Sequence, residues 1–356
     1  MTLLTGFAIL IPTMNITFFE TEKWQQDYLR AKLTRFDKSK TRRENHKLRF
    51  FPECVTEEVL EAAKDTDILG VFIGSQVNRH ALSHLPRLRL ITTMSTGYDH
   101  IDLKAAKAHE VAVCNVPFYG ENTVAEHAMA LILSITRRIH QSYERTARGN
   151  FSNLELQGRD LKGKTLGVVG TGHIGRHVIR MAKGFEMNIV AYDAYPDKAA
   201  AKKLGFKYLT LSALLKEADI ITLHAPYTKQ THHLINAASF KLMKQGVILI
   251  NTARGGLIDT TAMVKALQSG KVDGLGLDVL EGEQYIKEEA EMLSVDFSKK
   301  DLKVNMENHI LMHSDKVVLT PHNAFNSKEA VERILDTTVH NIEQFIAKKK
   351  LDNQVK

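Results

Sequence analysis

A glycine-rich segment near the middle of the chain has the residue types and the spacing that bind phosphate groups. The apolar stretch Thr165–Val169 predicts a β-strand, and Gly170, Gly172 and Gly175 follow it at the start of a helical pattern. Gly170 allows a tight turn, Gly172 lets the backbone approach a pyrophosphate, and Gly175 lets the helix pack closely on the strand. The free N–H groups at the start of the helix would then face the phosphates.

A second predicted strand, Ile189–Tyr192, ends in an acid at the distance that a dinucleotide-binding unit requires. Asp193 stands where a carboxylate can accept hydrogen bonds from the ribose hydroxyls of adenosine. The glycine loop alone is weak evidence, because an ordinary strand-to-helix turn also uses glycine. The two strands, the loop, the helix and the acid occur together here, and the sequence therefore predicts that the chain binds NAD.

Three further predicted strands are each followed by residues that can do acid–base or anion chemistry. Arg254 follows Val247–Ile250, Asp278 and Glu283 follow Gly274–Leu277, and His322 follows Val317–Leu319. Open α/β sheets bind ligands at the carboxyl ends of their strands, so these side chains are expected at one edge of the sheet that holds the cofactor. Taken singly, His322 could be structural, Arg254 could be a surface ion-pair residue, and Glu281 is an alternative to Glu283.

At these residues the chain resembles the D-isomer-specific 2-hydroxyacid dehydrogenases. The resemblance covers nearly the whole length from Met14 and rests on motifs in the family's order: Ser95–Asp99, Asn115–Pro117, Ala125–Ala128, Gly170–Gly175, Leu223–Pro226, Asn251–Gly255, Asp278–Glu283 and Pro321–His322. Within the family the chain is most similar to the D-lactate dehydrogenases, including the type found with vancomycin resistance. Two details support this: no proline follows Glu283, and Asn323, Ala324 and Phe325 follow His322.

The resemblance implies a role for each residue at the sheet edge. Arg254 would grip the carboxylate of a 2-keto acid and polarise its carbonyl, a task that suits a bidentate guanidinium. His322 would be the general acid in reduction and the general base in oxidation. Glu283 would hold His322 by a charged hydrogen bond.

The resemblance also implies which residues line the substrate and the cofactor. The backbone amides of Thr96 and Gly97 and the side chain of Phe325 would contact the substrate. Asp278 would contact the nicotinamide carboxamide. His173 and Ile174 would lie along the pyrophosphate, and Ala225, Pro226 and Thr231 would line the adenosine side. Thr252 and Ala253, in the loop before Arg254, are also assigned to the cofactor.

By this resemblance the chain is expected to be an NAD-dependent dehydrogenase that reduces pyruvate to D-lactate, with no metal. A glyoxylate or hydroxypyruvate reductase of the same family is one alternative. An NAD(H)-sensing protein, similar to the family's transcriptional corepressors, is another, although a complete arginine, acid and histidine set favours catalysis. Glu126 and His127 are interpreted as helix-packing residues, and His224 as a residue that shapes the cofactor loop.

Strands alternate with helical patterns over most of the chain, which is typical of an α/β fold. We expect two doubly wound parallel-sheet domains with a cleft between them. A flavodoxin-like substrate domain would comprise residues 1–119 and 325–356, and a Rossmann NAD-binding domain would comprise residues 120–324. The first sheet is assigned to Ile16–Phe19, Leu48–Phe51, Ile68–Ile73, Leu88–Thr92 and Val111–Cys114.

Two long helices are predicted, over Glu121–Gly149 and over Lys328–Lys348. The first carries an apolar face formed by Val124, Ala128, Leu131 and Ile135. This face is larger than a helix crossing a sheet needs, so we expect a homodimer through the 121–149 region. Burial of the same face within one chain is the alternative.

Composition and charge fit a cytoplasmic enzyme. The chain has 356 residues, two cysteines without zinc or disulfide spacing, and no apolar run long enough to span a membrane. The net charge of +7 lies in Lys23–Arg49, where ten basic and three acidic residues stand without a nucleic-acid motif, so a solvated surface is expected there. Residues 1–13 are expected to be an extension before a start at Met14. Gln284–Lys316 has no clear period.

Overall fold

The computed structural model describes residues 13–35, 46–283 and 299–355 and divides the chain into two compact units. One unit takes in Met1–Tyr119 and Ser327–Lys356, and the other takes in Gly120–Asn326. Residues 325 and 326 thus belong with the second unit, whereas the sequence placed them after the boundary. Apart from Thr13, the suggested N-terminal extension lies outside the described residues.

The first unit is built on a parallel sheet with the strand order β2-β1-β3-β4-β5. Its strands are β1 (Asn15–Phe18), β2 (Lys47–Phe50), β3 (Ile68–Val71), β4 (Leu90–Thr93) and β5 (Ala112–Cys114). Its helices are α1 (Lys23–Arg35), α2 (Glu57–Ala62), α3 (Arg79–Ser83), α4 (Leu103–Ala108) and the C-terminal helix (Lys328–Ile346). Every residue of β3 and β4 is buried, as expected where helices cover both faces of a parallel sheet.

The second unit is built on a parallel sheet with the order β12-β11-β10-β9-β6-β7-β8. Its strands are β6 (Thr165–Val169), β7 (Asn188–Tyr192), β8 (Lys207–Tyr208), β9 (Ile220–Leu223), β10 (Val247–Asn251), β11 (Val272–Leu277) and β12 (Val317–Leu319). Its helices are α5 (Glu121–Thr136), α6 (Ile139–Ala147), α7 (His173–Gly184), α8 (Lys198–Leu204), α9 (Leu211–Glu217), α10 (Ala237–Leu242), α11 (Thr260–Gln268) and α12 (Lys299–Met312).

The two strand orders are those of flavodoxin-like and Rossmann sheets, the second extended by one strand. The predicted α/β fold with two doubly wound parallel sheets is therefore confirmed. The sequence missed β8, which has only two residues.

Each face of the second sheet carries its own apolar core. Leu249 and Ile250 are neighbours on β10, both fully buried, and they point into different cores because successive side chains of a strand alternate. Burial of one such side chain stabilises the fold by about 1.5–3 kcal/mol. The two cores hold the strands, and hence the loops at their carboxyl ends, in fixed positions.

The predicted long helix over Glu121–Gly149 is wrong, because two helices stand there. The carbonyl of Thr136 accepts a hydrogen bond from the backbone N–H of Arg159 at 2.7 Å, and α5 ends at this residue. The segment that carries Gly158 and Arg159 approaches α5 so closely that a Cβ on Gly158 would lie 2.4 Å from the carbonyl oxygen of Thr136. Arg138 then takes a left-handed conformation (φ 53°) and α6 starts after it.

The apolar face of α5 is buried within its own unit, so the reason first given for a homodimer is wrong. Val124, Ala128, Leu131 and Ile135 are all buried, and α5 packs on the sheet. The contact is close because β11 has glycine beneath the helix: a Cβ on Gly274 would lie 2.3 Å from Cγ2 of Ile135.

Exposed apolar side chains lie instead on α6 and the segment that follows it. The exposed fractions are 56% for Ile139, 74% for Tyr143, 83% for Phe151 and 73% for Leu154. These four residues are called the α6 patch below. Such a patch is typical of a surface that binds a partner.

The segment 284–316, which the sequence left uninterpreted, contains α12. Its first part, residues 284–298, lies outside the described residues. The C-terminal helix ends two residues before its predicted end. Within the described ranges, no helix combines the length and the apolar character needed to cross a bilayer.

Candidate active site

Three loops meet at the carboxyl edge of the second sheet because they follow neighbouring strands. β10, β11 and β12 are adjacent and parallel, so their carboxyl ends lie side by side. The loop after β10 carries Arg254, the loop after β11 carries Glu283, and the loop after β12 carries His322. The structure thus brings the three predicted catalytic residues to one edge.

His322 is held in a backbone conformation that few non-glycine residues adopt. Its φ is 50°, and its N–H lies 2.9 Å from the carbonyl oxygens of both Asp278 and Thr320. Left-handed backbone at a non-glycine residue persists only where the surroundings enforce it, and it is concentrated at functional sites. The two acceptors supply that constraint.

The imidazole of His322 is paired with Glu283. Nδ1 lies 2.8 Å from Oε1 of Glu283, and the second carboxylate oxygen accepts a hydrogen bond from the N–H of Leu280 at 3.2 Å. A carboxylate can only accept, so Nδ1 carries the proton of this bond. Nε2 is then the nitrogen that can give or take a proton, and no residue in the described ranges bonds to it.

Glu281, the alternative partner, points to other residues. Its Oε1 lies 2.8 Å from Nε2 of His233, and its Oε2 accepts a hydrogen bond from the hydroxyl of Thr260 at 2.8 Å. The geometry therefore favours Glu283 as the partner of His322.

Asp278 fixes the loop that carries His322. Its side chain is 1% exposed, and its carboxylate accepts hydrogen bonds from the Thr320 hydroxyl and from the N–H groups of Asn323 and Ala324, at 3.0 and 2.9 Å. Both oxygens are turned toward this loop. The contact with the nicotinamide carboxamide that the sequence suggested stays a prediction.

Arg254 is half-buried in a loop braced by side-chain and backbone contacts. Asn251 donates through Nδ2 to the carbonyl of Arg254 at 2.9 Å and accepts from the N–H of Ala253 at 3.0 Å. The guanidinium donates to the Ala253 carbonyl at 2.8 Å. A Cβ on Gly255 would lie 2.0 Å from the carbonyl carbon of Leu280, so the arginine loop rests on the loop that carries the acids.

The glycine loop has the shape that a pyrophosphate requires. Gly170 has φ +95°, and a Cβ on Gly175 would lie 2.1 Å from the Gly170 carbonyl oxygen. A Cβ on Gly172, by contrast, would meet open space: beyond its chain neighbours, no heavy atom of the described residues would lie within 4 Å. His173 and Ile174 begin α7, and Gly172 stands at its N-cap position. The open space beside Gly172 lets an anion approach the start of the helix.

Asp193 directly follows β7, and its side chain reaches back to the glycine loop. Its Oδ2 accepts hydrogen bonds from the N–H and the hydroxyl of Thr171 at 2.7 and 2.9 Å, and its Oδ1 accepts from the N–H of Tyr195 at 2.9 Å. Arg176 lies beside the same threonine, but its guanidinium is engaged by the Thr171 carbonyl and by Asp197, both within 2.9 Å.

The loop after β9 packs against the glycine loop. A Cβ on Gly170 would lie 2.7 Å from the N atom of Ala225, and the Thr231 hydroxyl donates to the Pro226 carbonyl at 2.7 Å. Burial lowers the pKa of His224 to about 4, and its Nε2 lies 2.9 Å from the Thr222 hydroxyl. A neutral, hydrogen-bonded ring agrees with a role in shaping this loop.

The other predicted contact residues are placed as follows. Thr252 is buried in the loop after β10, and its hydroxyl has no hydrogen-bond partner in the described ranges. Phe325 is half-buried and stands three residues after His322.

In the first unit, three successive carbonyl groups of the loop after β4 accept hydrogen bonds from neighbouring residues. The partners of Ser95, Thr96 and Gly97 are, in order, the N–H of Val116 at 3.0 Å, the side-chain amide of Asn115 at 2.8 Å and the hydroxyl of Ser95 at 2.6 Å. The C=O and N–H of a trans peptide point in opposite directions.

The N–H groups of Thr96, Gly97 and Tyr98 therefore point away from these partners. None of the three donates to another described residue. Successive N–H groups of this kind form a concave site for an anion. The arrangement suits the carboxylate that the sequence assigned to Thr96 and Gly97.

The sequence did not identify every side chain that shapes these loops. His127, interpreted as a packing residue, has Nε2 at 3.0 Å from the Thr320 hydroxyl and 3.5 Å from Asp278. It stands on α5, far from these residues in the chain, and no local signal links them. Asn115 and Asn251 lie within recognised motifs, but their hydrogen bonds depend on the folded loop.

Comparison with known proteins identifies the family. Residues 129–324 match the family described as D-isomer specific 2-hydroxyacid dehydrogenase, NAD binding domain. A D-lactate dehydrogenase of Escherichia coli (strain K12) is 35% identical over 331 residues, which cover 92% of this chain and 96% of that protein. A glyoxylate reductase of Pyrococcus furiosus is 35% identical over 300 residues, which cover 82% of this chain and 83% of that protein.

Solved structures agree. The crystal structure of D-lactate dehydrogenase from Aquifex aeolicus, complexed with NAD and lactic acid, matches with a TM-score of 0.81 and 35% identity over 96% of this chain and 99% of that chain. The chain therefore belongs to the D-isomer specific 2-hydroxyacid dehydrogenase family, as its motifs predicted. It is an oxidoreductase, and its cofactor is NAD, which fits the open glycine loop before α7.

Proposed function

We propose that this chain is a D-lactate dehydrogenase that reduces pyruvate to D-lactate. The observation that carries the proposal is the 2.8 Å contact between Nδ1 of His322 and Oε1 of Glu283, which leaves Nε2 to exchange a proton. The D-lactate dehydrogenase relatives favour pyruvate over other keto acids, and so do two sequence details: no proline follows Glu283, and Asn323–Phe325 follow His322. The glyoxylate reductase relative, at the same 35% identity, makes glyoxylate the second candidate.

In the proposed reaction, each residue of the site would have a separate role. NAD, when bound, supplies or accepts the hydride. His322 gives a proton from Nε2 to the carbonyl oxygen of the keto acid, and Glu283 stabilises the imidazolium before that transfer. The Arg254 guanidinium binds the carboxylate in a fork and draws electron density from the carbonyl. The N–H groups of Thr96 and Gly97 bind the carboxylate by charge-assisted hydrogen bonds.

The test of the proposed substrate is a kinetic comparison of several keto acids. NADH oxidation would be followed with pyruvate, glyoxylate, hydroxypyruvate and a bulkier 2-keto acid at matched concentrations. The proposal expects the highest kcat/KM with pyruvate and D-lactate as the only enantiomer formed. A clear preference for glyoxylate or hydroxypyruvate would replace the proposed substrate. No turnover of any keto acid would favour an NAD(H)-sensing protein.

The wild-type protein is expected to prefer NADH to NADPH because of Asp193. A 2′-phosphate at this carboxylate would meet a like charge, and juxtaposed like charges cost several kcal/mol. The neighbouring cation, Arg176, is already engaged by Asp197. Asp193→Ala should therefore lower the NADH-to-NADPH ratio of kcat/KM by about tenfold or more, mainly by improving the use of NADPH.

A matched control for this measurement is Asp219→Ala. Asp219, like Asp193, accepts a hydrogen bond from a backbone N–H. Its donor is Thr165, the first residue of β6, at the end of the strand that lies away from the glycine loop. Its loss should leave the cofactor ratio unchanged. Equal use of both cofactors by the wild-type protein would mean that Asp193 does not face the ribose.

We further propose a homodimer in which the α6 patch lies at the interface. Ile139 and Tyr143 lie within the 121–149 region suggested by the sequence, and Phe151 and Leu154 lie in the segment that follows it. Tyr143→Glu combined with Phe151→Glu should convert a particle of twice 40.1 kDa into one of 40.1 kDa in light scattering. Phe185→Glu, at an exposed aromatic residue outside the patch, is the control and should leave the mass unchanged. A wild-type monomer would refute the proposal.

A cytoplasmic location is proposed on composition alone. Cys54 and Cys114 are free thiols, as is usual for proteins of reducing compartments.

A further inference from the structure

The loop between β11 and Glu283 is fastened by an acid that does not touch His322. Glu281 lies in this loop, and both of its carboxylate oxygens are bound: one by Nε2 of His233 at 2.8 Å and one by the Thr260 hydroxyl at 2.8 Å. Thr260 is the first residue of α11, and it is 2% exposed. The Glu281 side chain thus anchors the loop to two other elements.

The backbone of the same residue is held by α12. The side-chain amide of Asn308 donates to the carbonyl of Glu281 at 3.0 Å. α12 is in turn fastened to α11, because the Thr261 hydroxyl donates to Glu307 at 2.8 and 2.9 Å. Side-chain and backbone contacts therefore converge on Glu281 from α11, from α12 and from the segment after β9.

Asn308 is an unusual residue for its position. It is fully buried, and its Oδ1 has no hydrogen-bond partner among the residues that the structure describes. Burial of an amide is unfavourable unless the group is hydrogen-bonded, and a leucine of similar size would avoid this penalty. The hydrogen bond to Glu281 is the contact that Asn308 provides and an apolar residue could not.

The position of Glu283 depends on the same turn. Its N–H donates to the carbonyl of Leu280 at 3.3 Å, and its Oε2 accepts from the Leu280 N–H at 3.2 Å. Glu281 lies between these two residues in the chain. Because Glu281 belongs to this turn, a shift at Glu281 would move Glu283 with it. Oε1 of Glu283 would then leave the hydrogen-bonding distance of 2.8 Å from Nδ1 of His322.

We propose that Glu281 and Asn308 are positioning residues, which hold the 280–283 turn so that Glu283 stays hydrogen-bonded to His322. α12 is then the support of the turn that carries the catalytic acid. Thr260 and His233 contribute through the Glu281 carboxylate. The inference rests on the proposed roles of His322 and Glu283, and its test separates the two.

The test is a double-mutant cycle on kcat for pyruvate reduction. Asn308→Leu in the otherwise wild-type protein should lower kcat by about tenfold, because coupled neighbours show effects of this size. The dissociation constant of NADH, measured by fluorescence, should stay within about twofold. In the Glu283→Gln background the same substitution should change kcat by less than about twofold, since the contact that it protects is already lost.

Two further variants keep the test decisive. Thr260→Val removes the hydroxyl bond to Glu281 at nearly constant volume, and it should give the same pattern if Asn308→Leu does not fold. Ile310→Ala, at an exposed position of α12, is the control and should leave kcat unchanged.

The outcomes distinguish the inference from the proposed function. Equal losses in the wild-type and Glu283→Gln backgrounds would mean that Asn308 acts elsewhere, and this result would overturn the inference alone. If Glu283→Gln has no effect on kcat, the proposed role of Glu283 is wrong and the inference falls with it.

Discussion

His322→Ala is expected to lower kcat for pyruvate reduction by more than about a hundredfold, the usual contribution of a positioned proton donor. The variant keeps the backbone that Asp278 and Thr320 hold, and it removes only the imidazole that contacts Glu283. NADH binding should be largely preserved, because the glycine loop and α7 are untouched. Steady-state kinetics and a fluorescence titration with NADH measure the two quantities.

His340→Ala is the control for this substitution. His340 is also a histidine beside a carboxylate, with Nε2 at 3.5 Å from Oδ2 of Asp352, but it lies on the C-terminal helix and is half exposed. Its replacement should leave kcat unchanged. Turnover of His322→Ala within a few-fold of wild type would remove His322 from the chemistry and place the proton donor elsewhere.

The location of the site could be predicted because it follows from strand order. Buried parallel strands appear in the sequence as short apolar runs, and the residues after them must lie at one sheet edge. Arg254, Glu283 and His322 were found in this way. The choice between Glu281 and Glu283 needed the family resemblance, since both acids stand in the same loop, and the structure separates them by their partners.

The end of α5 could not be predicted from local sequence. No glycine or proline stands at residues 136–139 to stop the helix. The carbonyl of Thr136 instead accepts a hydrogen bond from the N–H of Arg159, a residue that lies beyond α6 in the chain. This long-range contact stands between α5, whose apolar face is buried, and α6, whose apolar side chains are exposed. The apolar face of α5 therefore gives no evidence for a dimer surface, because it is buried within its own unit.

α12 was missed for a different reason, which is the reversal of its polarity pattern. Asn308 is fully buried, while Met306 is 60% exposed and Ile310 is 46% exposed. A helix is recognised by apolar residues that recur on its buried face. When an asparagine is buried for a specific hydrogen bond and apolar side chains face solvent, that signal disappears. The residue that hid the helix is the one that links it to Glu281.

Arg254→Lys is expected to lower kcat/KM for pyruvate by about tenfold to a hundredfold, since hydrogen bonds to charged groups contribute about 1.5–3 kcal/mol. Lysine keeps the positive charge but loses the planar fork that binds a carboxylate through two parallel bonds. Because one group is proposed both to hold the carboxylate and to polarise the carbonyl, KM should rise and kcat should fall together. A pure rise in KM would indicate that Arg254 binds substrate without assisting the reaction.

The loop that carries Arg254 makes this a test of side-chain chemistry. The Asn251 side chain is hydrogen-bonded to the N–H of Ala253 and to the carbonyl of Arg254, and Gly255 packs against Leu280. None of these contacts depends on the guanidinium. Arg159→Lys is the control, because its guanidinium is paired with Asp273 at 2.8 Å and lysine can keep that charge pair. If Arg254→Lys leaves kcat/KM unchanged while the control also has no effect, the keto acid carboxylate is bound by other groups. The row of N–H groups at Thr96, Gly97 and Tyr98 would then be the first place to look for them.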